Sequence, residues 1–391
     1  MVFHGRRMLD LGRLVVGAFM LLLGFVAVLP AANDRVWQVS VVVTEGGHWA
    51  MLVWALLLVP RWRRSRVGIS GVVAAGLGTV LLLTPVLRAI SVAQALPAAI
   101  EEHFGSLGAR ASGGDPRSAP LVLANLVGLG RSLPPVAVEE HVYSAQGGTE
   151  LGLDLYRPVG TQAQLPGVVI IHGGSWQGGS RQDFPALNRY LAARGHLVAA
   201  ISYRLAPRFP FPAARDDVAA AVAFLKRNAS RLGLDADRLV LIGRSAGGQL
   251  ALVSAYMLRD PAIKGVVSYY GPIALRWGYA NPAKLSIIDS SAILGAYLGG
   301  SPETHAAQYQ AASPLSHVGH GTPPTLLING LRDELVSPFH AEFLSDRLLR
   351  ARVPHLYLRL PWATHGCDYL FYGPCGQVTT YAVDRFLAAV L

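Results

Sequence analysis

Between an apolar run that reads as a strand, Arg238–Gly243, and a run with helical spacing, Ala246–Leu258, the chain carries Gly243-Arg244-Ser245-Ala246-Gly247. A strand that turns sharply into a helix leaves no room for bulky side chains on either side of the bend, so small residues at 243 and 247 are what such a turn needs. The same alternation of strand and helix runs through residues 135–391. Val138–Ser144, Leu151–Tyr156, Gly167–Ile171, Leu197–Ser202, Lys264–Tyr270, Pro324–Asn329 and His355–Leu360 read as further strands. Ala213–Asn228, Phe339–Leu349 and Val378–Val390 read as helices. Short, continuously apolar strands separated by helices predict an α/β fold, a mostly parallel sheet covered by helices on both faces. In such sheets functional groups gather beyond the carboxyl ends of the strands.

Ser245 stands at the tip of the predicted turn. A serine hydroxyl is a poor nucleophile until it is held exposed beside a base, and a sharp bend achieves this. The helix that follows offers free N–H groups to developing negative charge. The structural alternative is an N-cap serine. After the strand Gly167–Ile171 comes His172-Gly173-Gly174-Ser175-Trp176. Glycines let backbone N–H groups approach a ligand without side-chain obstruction, so Gly173 and Gly174, with Ala246, are the candidate oxyanion hole. His172 reads as a residue that orders this loop, and a plain glycine-rich turn is the alternative. The acid and base are expected downstream, in the order carboxylate then histidine. Asp333 follows the strand Pro324–Asn329, with Glu334 as its rival and a helix start as its structural reading. His365 follows the strand His355–Leu360, and the other histidines read as surface or loop residues.

The first ninety residues have a different character. The chain is 52% hydrophobic and only 15% charged, and the excess apolar content lies here. Leu14–Leu29 and the uncharged run Val67–Leu87 are expected to cross a membrane. Trp49–Val59 is shorter and reaches spanning length only by recruiting residues back to about Val41, including Glu45. Arg6, Arg7 and Arg13 precede the first segment, and Arg61, Arg63, Arg64 and Arg66 separate the second from the third. Positive residues prefer the cytoplasmic side, so residues beyond Leu87 are expected outside the cytoplasm. A signal peptide reaching Ala31 and Ala32 is the alternative for the first segment, with Pro30 interrupting its cleavage pattern. The expected organisation is a membrane anchor at 1–87, a linker with amphipathic stretches at 88–134, broken at Pro97, and a catalytic domain at 135–391. The net charge of +10 is concentrated around the anchor, and no nucleic-acid motif accompanies it. Outside the cytoplasm Cys367 and Cys375 are able to form a disulfide; two buried thiols are the alternative.

Residues 135–391 resemble the bacterial hormone-sensitive-lipase-like esterases, in particular their feruloyl- and acetylxylan-esterase-like branch. The stretches that carry the resemblance are His172–Ser180, Tyr203–Asp217, Gly243–Leu252, Ala312–Val318, Gly330–Pro338 and Thr364–Gly366. The resemblance implies an α/β-hydrolase fold with an eight-stranded sheet, a Ser245–Asp333–His365 triad and no metal or organic cofactor. It implies ester hydrolysis through an acyl-enzyme, with a small acyl ester or an acylated glycan or lipid as substrate. Two positions depart from the family pattern. Arg244 stands where an acid or histidine is common, which would favour anionic substrates or serve to pair a carboxylate. Ser175 replaces a third glycine and changes the acyl pocket. Arg276–Gln310 is long for a connection, and Trp277, Tyr279 and Tyr297 would either line a pocket or pack helices. An amidase, peptidase or acyltransferase on the same triad, or a silent membrane scaffold, are the competing functions.

Overall fold

The computed structural model describes residues 2–58, 65–105, 119–128, 133–145, 148–161, 163–284 and 286–391. Arg61, Arg63 and Arg64, and residues 106–118 and 129–132 of the expected linker, lie outside them. Four helices open the chain: α1 (Val2–Val28), α2 (Asp34–Gly46), α3 (Ala50–Leu58) and α4 (Arg66–Phe104). A short helix α5 (Leu123–Leu126) precedes the strands β1 (Val136–Ser144), β2 (Leu151–Pro158) and β3 (Leu165–Ile171). Then come α6 (Pro185–Ala193), β4 (Leu197–Ile201), α7 (Ala213–Arg227), α8 (Ala229–Leu232), β5 (Leu234–Arg244), α9 (Ala246–Leu258) and β6 (Ile263–Tyr269). Helices α10 (Leu275–Ala280), α11 (Ser290–Leu298) and α12 (Ala306–Ala312) lead to β7 (Thr325–Gly330), α13 (Phe339–Arg350), β8 (His355–Leu360) and α14 (Pro374–Val390).

The eight strands form one sheet in the order β1-β2-β4-β3-β5-β6-β7-β8. The β1–β2 and β2–β4 pairs are antiparallel and the others are parallel, so the expected mostly parallel sheet is present. Alternation along each strand divides its side chains between two cores. Val169, Ile171 and Leu241 meet α7, α9 and α13 on one face. Val168, Ile170 and Ile242 meet α6, α14 and the last third of α4 on the other.

Helix α4 is continuous across Leu87–Arg88, where the sequence suggests that the anchor ends. Ala89, Ala93, Leu96 and Ile100 recur at helical spacing and are buried against the sheet. The break expected at Pro97 does not occur, and both Pro85 and Pro97 lie inside the helix. The burial of Ala93, Leu96 and Ile100 on either side of Pro97 holds the helical path there, outweighing the missing N–H. The first two thirds of α4 run beside α1, where glycines permit close approach: a Cβ on Gly71 or Gly78 would strike the α1 backbone. Arg7–Val28, Asp34–Leu58 and Arg66–Phe104 are each long and apolar enough to cross a membrane.

Candidate active site

Four loops leave the carboxyl ends of parallel strands β3, β5, β7 and β8 and converge. The turn after β5 has the shape its composition requires. Ser245 adopts φ +53°, a left-handed conformation costly for a non-glycine residue and found at functional sites. Its N–H donates to the Tyr269 carbonyl at 2.9 Å, which ties the bend to the neighbouring strand. A Cβ at Gly243 would meet the Gly247 backbone, and one at Gly247 would meet the carbonyls of Ile171 and His172. The bend therefore fixes glycine on both sides of the serine.

Ser245 Oγ lies 3.0 Å from His365 Nε2, and His365 Nδ1 lies 2.8 Å from Asp333 Oδ2. The other Asp333 oxygen accepts the N–H groups of Leu335 (3.0 Å) and Val336 (2.8 Å), which orients the carboxylate. Glu334, the rival carboxylate, is occupied elsewhere: it accepts Thr364 Oγ1 at 2.7 Å and the Ala31 N–H at 3.1 Å.

The loop after β3 lies against this row. A Cβ on Gly173 would come within 3.3 Å of Ser245 Cβ, and Gly174 has φ +106°. Among the described residues, the N–H groups of Gly173, Gly174 and Ala246 donate to no protein acceptor. His172 stacks on Tyr203 with ring centroids 4.2 Å apart, and its Nδ1 is 2.7 Å from the Gly173 carbonyl. Burial pushes its imidazole below the ordinary range, towards the neutral form. Trp176 stacks on Tyr297 at 4.1 Å, and both donate to Gln249 Oε1, which fastens this loop to α9.

Arg244 is buried and its Nε donates to Asp368 Oδ2 at 2.6 Å. Tyr270 donates to the other Asp368 oxygen at 2.6 Å, and its ring lies 4.4 Å from His365. Burial, reinforced by the Asp368 charge, raises the Tyr270 hydroxyl far above its usual range, so it remains a donor. Of the two readings of Arg244, the geometry matches carboxylate pairing. Cys367 and Cys375 are joined as a disulfide that closes the segment containing Asp368.

A cavity of about 270 Å³ opens over Ser245 and His365. Ser175, Pro282, Ile288, Leu294 and Leu335 line it. Trp277, Tyr279 and Tyr297 do not: they pack against His340, Tyr309 and Trp176, and Trp277 also lines a second cavity of about 550 Å³ with Ala274, Ala306 and Leu315. His340, one of the histidines that read by default as surface or loop residues, is a buried residue of the cavity wall. Its Nδ1 accepts the N–H groups of Ile273 (3.2 Å) and Ala274 (3.1 Å). That nitrogen therefore carries no proton, and Nε2 carries the ring hydrogen. Burial lowers the His340 pKa to about 4. Asp368, Tyr270 and His340 escaped the sequence because each acts through a contact between distant segments. The only local hint was the position of Asp368 beside Cys367.

A family model described as BD-FAE matches residues 153–348. Esterase LipC of Mycobacterium tuberculosis is 30% identical over 58% of this chain and 58% of its own length. The probable carboxylic ester hydrolase LipM of the same organism is 29% identical over 61% of this chain and 58% of its own length. The chain thus spans a little over half the length of these curated relatives. Among solved structures, an esterase of Pyrobaculum calidifontis has a TM-score of 0.58 at 26% identity, covering 79% of this chain and 99% of its own. A fungal esterase of Rhizomucor miehei has a TM-score of 0.56 at 25% identity, covering 66% of this chain and 85% of its own. The fold is that of an α/β-hydrolase, as the resemblance implied.

Proposed function

The chain belongs to the BD-FAE family, and on that premise we propose that it is a membrane-anchored serine carboxylesterase with Ser245, His365 and Asp333 as its triad. The observation that carries this reading is the unbroken row of contacts Asp333–His365–Ser245, at 2.8 and 3.0 Å, beneath an open cavity. His365 takes the proton of Ser245 Oγ as the oxygen attacks the ester carbonyl. Asp333 holds the imidazole and offsets its charge. The N–H groups of Gly173, Gly174 and Ala246 receive the oxyanion, and losing one such donor typically costs about 10²–10³ in rate. His365 passes its proton to the departing alcohol, and water then releases the acid by the same route in reverse. His172 and Trp176 position the oxyanion loop. The esterase names of LipC and LipM support the same chemistry.

Helices α1, α3 and α4 anchor this domain, with α2 at the membrane surface. The arginines before α1 and between α3 and α4 favour a cytoplasmic location, which puts the hydrolase outside. The Cys367–Cys375 bridge supports that side, since disulfides persist in oxidising compartments. The test is a panel of p-nitrophenyl esters of increasing chain length with the full-length protein. Turnover by the wild type and its loss in Ser245→Ala are expected. Equal turnover by the two would remove the assignment, and activity confined to anilides would turn it into an amidase.

A further inference from the structure

The N-terminal helices do more than tether the hydrolase, because the loops of Asp333 and His365 and the rim of the cavity are bonded to the segment between residues 27 and 45. Arg332, beside Asp333, donates to the carbonyls of Ala27 and Leu29 at the end of α1. Glu334 accepts the Ala31 N–H at 3.1 Å and Thr364 Oγ1 at 2.7 Å, so one carboxylate joins the anchor to the loops of both Asp333 and His365. Ser286, on the cavity's rim segment, donates to the Ala32 carbonyl at 3.0 Å and accepts the Asp34 N–H at 3.0 Å. At the far end of α2, Glu45 accepts Trp362 Nε1 at 3.2 Å and the Cys375 N–H at 2.8 Å.

These contacts set the depth of the cavity. The 22 residues Arg7–Val28 make a helix of about 33 Å, a little more than the roughly 30 Å of hydrocarbon, so its end lies among lipid headgroups. Arg332 grips that end, and Glu334 lines the cavity. The rim is therefore at headgroup depth. Helix α2 is bonded to the hydrolase at both ends and lies along it, with Ser40, Val43 and Thr44 covered and Val39 and Val42 exposed. A helix so placed, with Trp49 exposed just beyond it, rests in the interface plane and not across the bilayer. The cavity walls are apolar at Pro282, Ile288, Leu294 and Leu335.

Resting on the anchored-esterase reading, we propose that the cavity receives its substrate laterally from the bilayer. That substrate is an amphiphilic lipid ester whose chain stays in the membrane while its ester group reaches Ser245 at headgroup depth. Hydrolysis splits the acyl–oxygen bond, consumes one water and leaves a carboxylic acid and an alcohol.

The test uses the full-length protein in vesicles of a di-ether phosphatidylcholine, which lacks ester bonds. A fluorogenic long-chain ester is dissolved in the vesicles at fixed bulk concentration, and p-nitrophenyl acetate is the aqueous substrate. Adding more di-ether lipid to the reconstituted vesicles dilutes the first in the membrane and leaves the second unchanged. The expected result is a long-chain ester rate that falls by the factor of the surface dilution, with p-nitrophenyl acetate turnover constant. A long-chain rate insensitive to dilution would overturn lateral access while leaving the esterase reading intact. Absence of turnover of both substrates would instead overturn the esterase reading, and lateral access with it.

Discussion

Asp333 and Glu334 are neighbours in sequence whose carboxylates face different partners. Asp333 meets His365, while Glu334 meets Thr364 and Ala31. Replacing Asp333 by Asn removes the charge that holds the required imidazole tautomer, and kcat is expected to fall by about 10⁴. Glu334→Gln keeps an acceptor for the Ala31 N–H and is expected to lower kcat far less; comparing the two under saturating ester checks the assignment. His340 gives a pH signature. Its pKa is lowered from 6.5 to about 4, so the fold refuses a proton that the unfolded chain accepts between those values. The stability involved is fully present above pH 6.5 and is lost as pH falls towards 4, up to about 3 kcal/mol. Denaturant unfolding at several pH values should show wild type losing ground to His340→Gln across that window.

The loop from His365 to α14 is held by two devices. One is the Cys367–Cys375 bridge and the other is the buried Arg244–Asp368 pair, with Tyr270 on the second carboxylate oxygen. Removing one member of a buried ion pair leaves an uncompensated charge and typically costs about 3–5 kcal/mol. Asp368→Leu is therefore expected to destabilise the protein by that order. Arg244→Met combined with Asp368→Leu should cost less than the sum of the single changes, which a double-mutant cycle of unfolding free energies would read. Additive losses would contradict the pairing. The turn at Ser245 was legible because its glycines are local requirements, and the strands because a buried parallel sheet needs continuous apolar runs. The partner of Arg244 was not, because Asp368 reaches it only after β5 and the segment beyond β8 have been packed together.

The largest difference between sequence and structure lies in how the two ends of the chain are joined. Apolar length alone picked out Leu14–Leu29 and Val67–Leu87, which lie in helices long and apolar enough to cross a membrane, but it placed a boundary at Leu87 inside a continuous helix. Ala89, Ala93, Leu96 and Ile100 carry that helix into the core of the sheet, a role that periodicity hinted at and only the packing reveals. Helix α4 and the sheet therefore share a core, and a chain cut at residue 88 keeps these four side chains while losing every bond from Ala27 to Glu45. Such a fragment is expected to have a lower melting temperature and a lower kcat than the full-length protein, since the loops of Asp333 and His365 lose their braces; equal values in both would contradict the bracing. The orientation is checked by fusing a reporter that is active only outside the cytoplasm after Leu391, where activity is expected.

The central claim, that Ser245 is the nucleophile activated by His365, is open to direct chemical test. The full-length protein is treated with a fluorophosphonate and its peptides are weighed by mass spectrometry. A single adduct on the peptide containing Ser245, absent from Ser245→Ala and strongly slowed in His365→Ala, is the expected result. Modification at another residue, or labelling of Ser245 that is indifferent to the loss of His365, would contradict it.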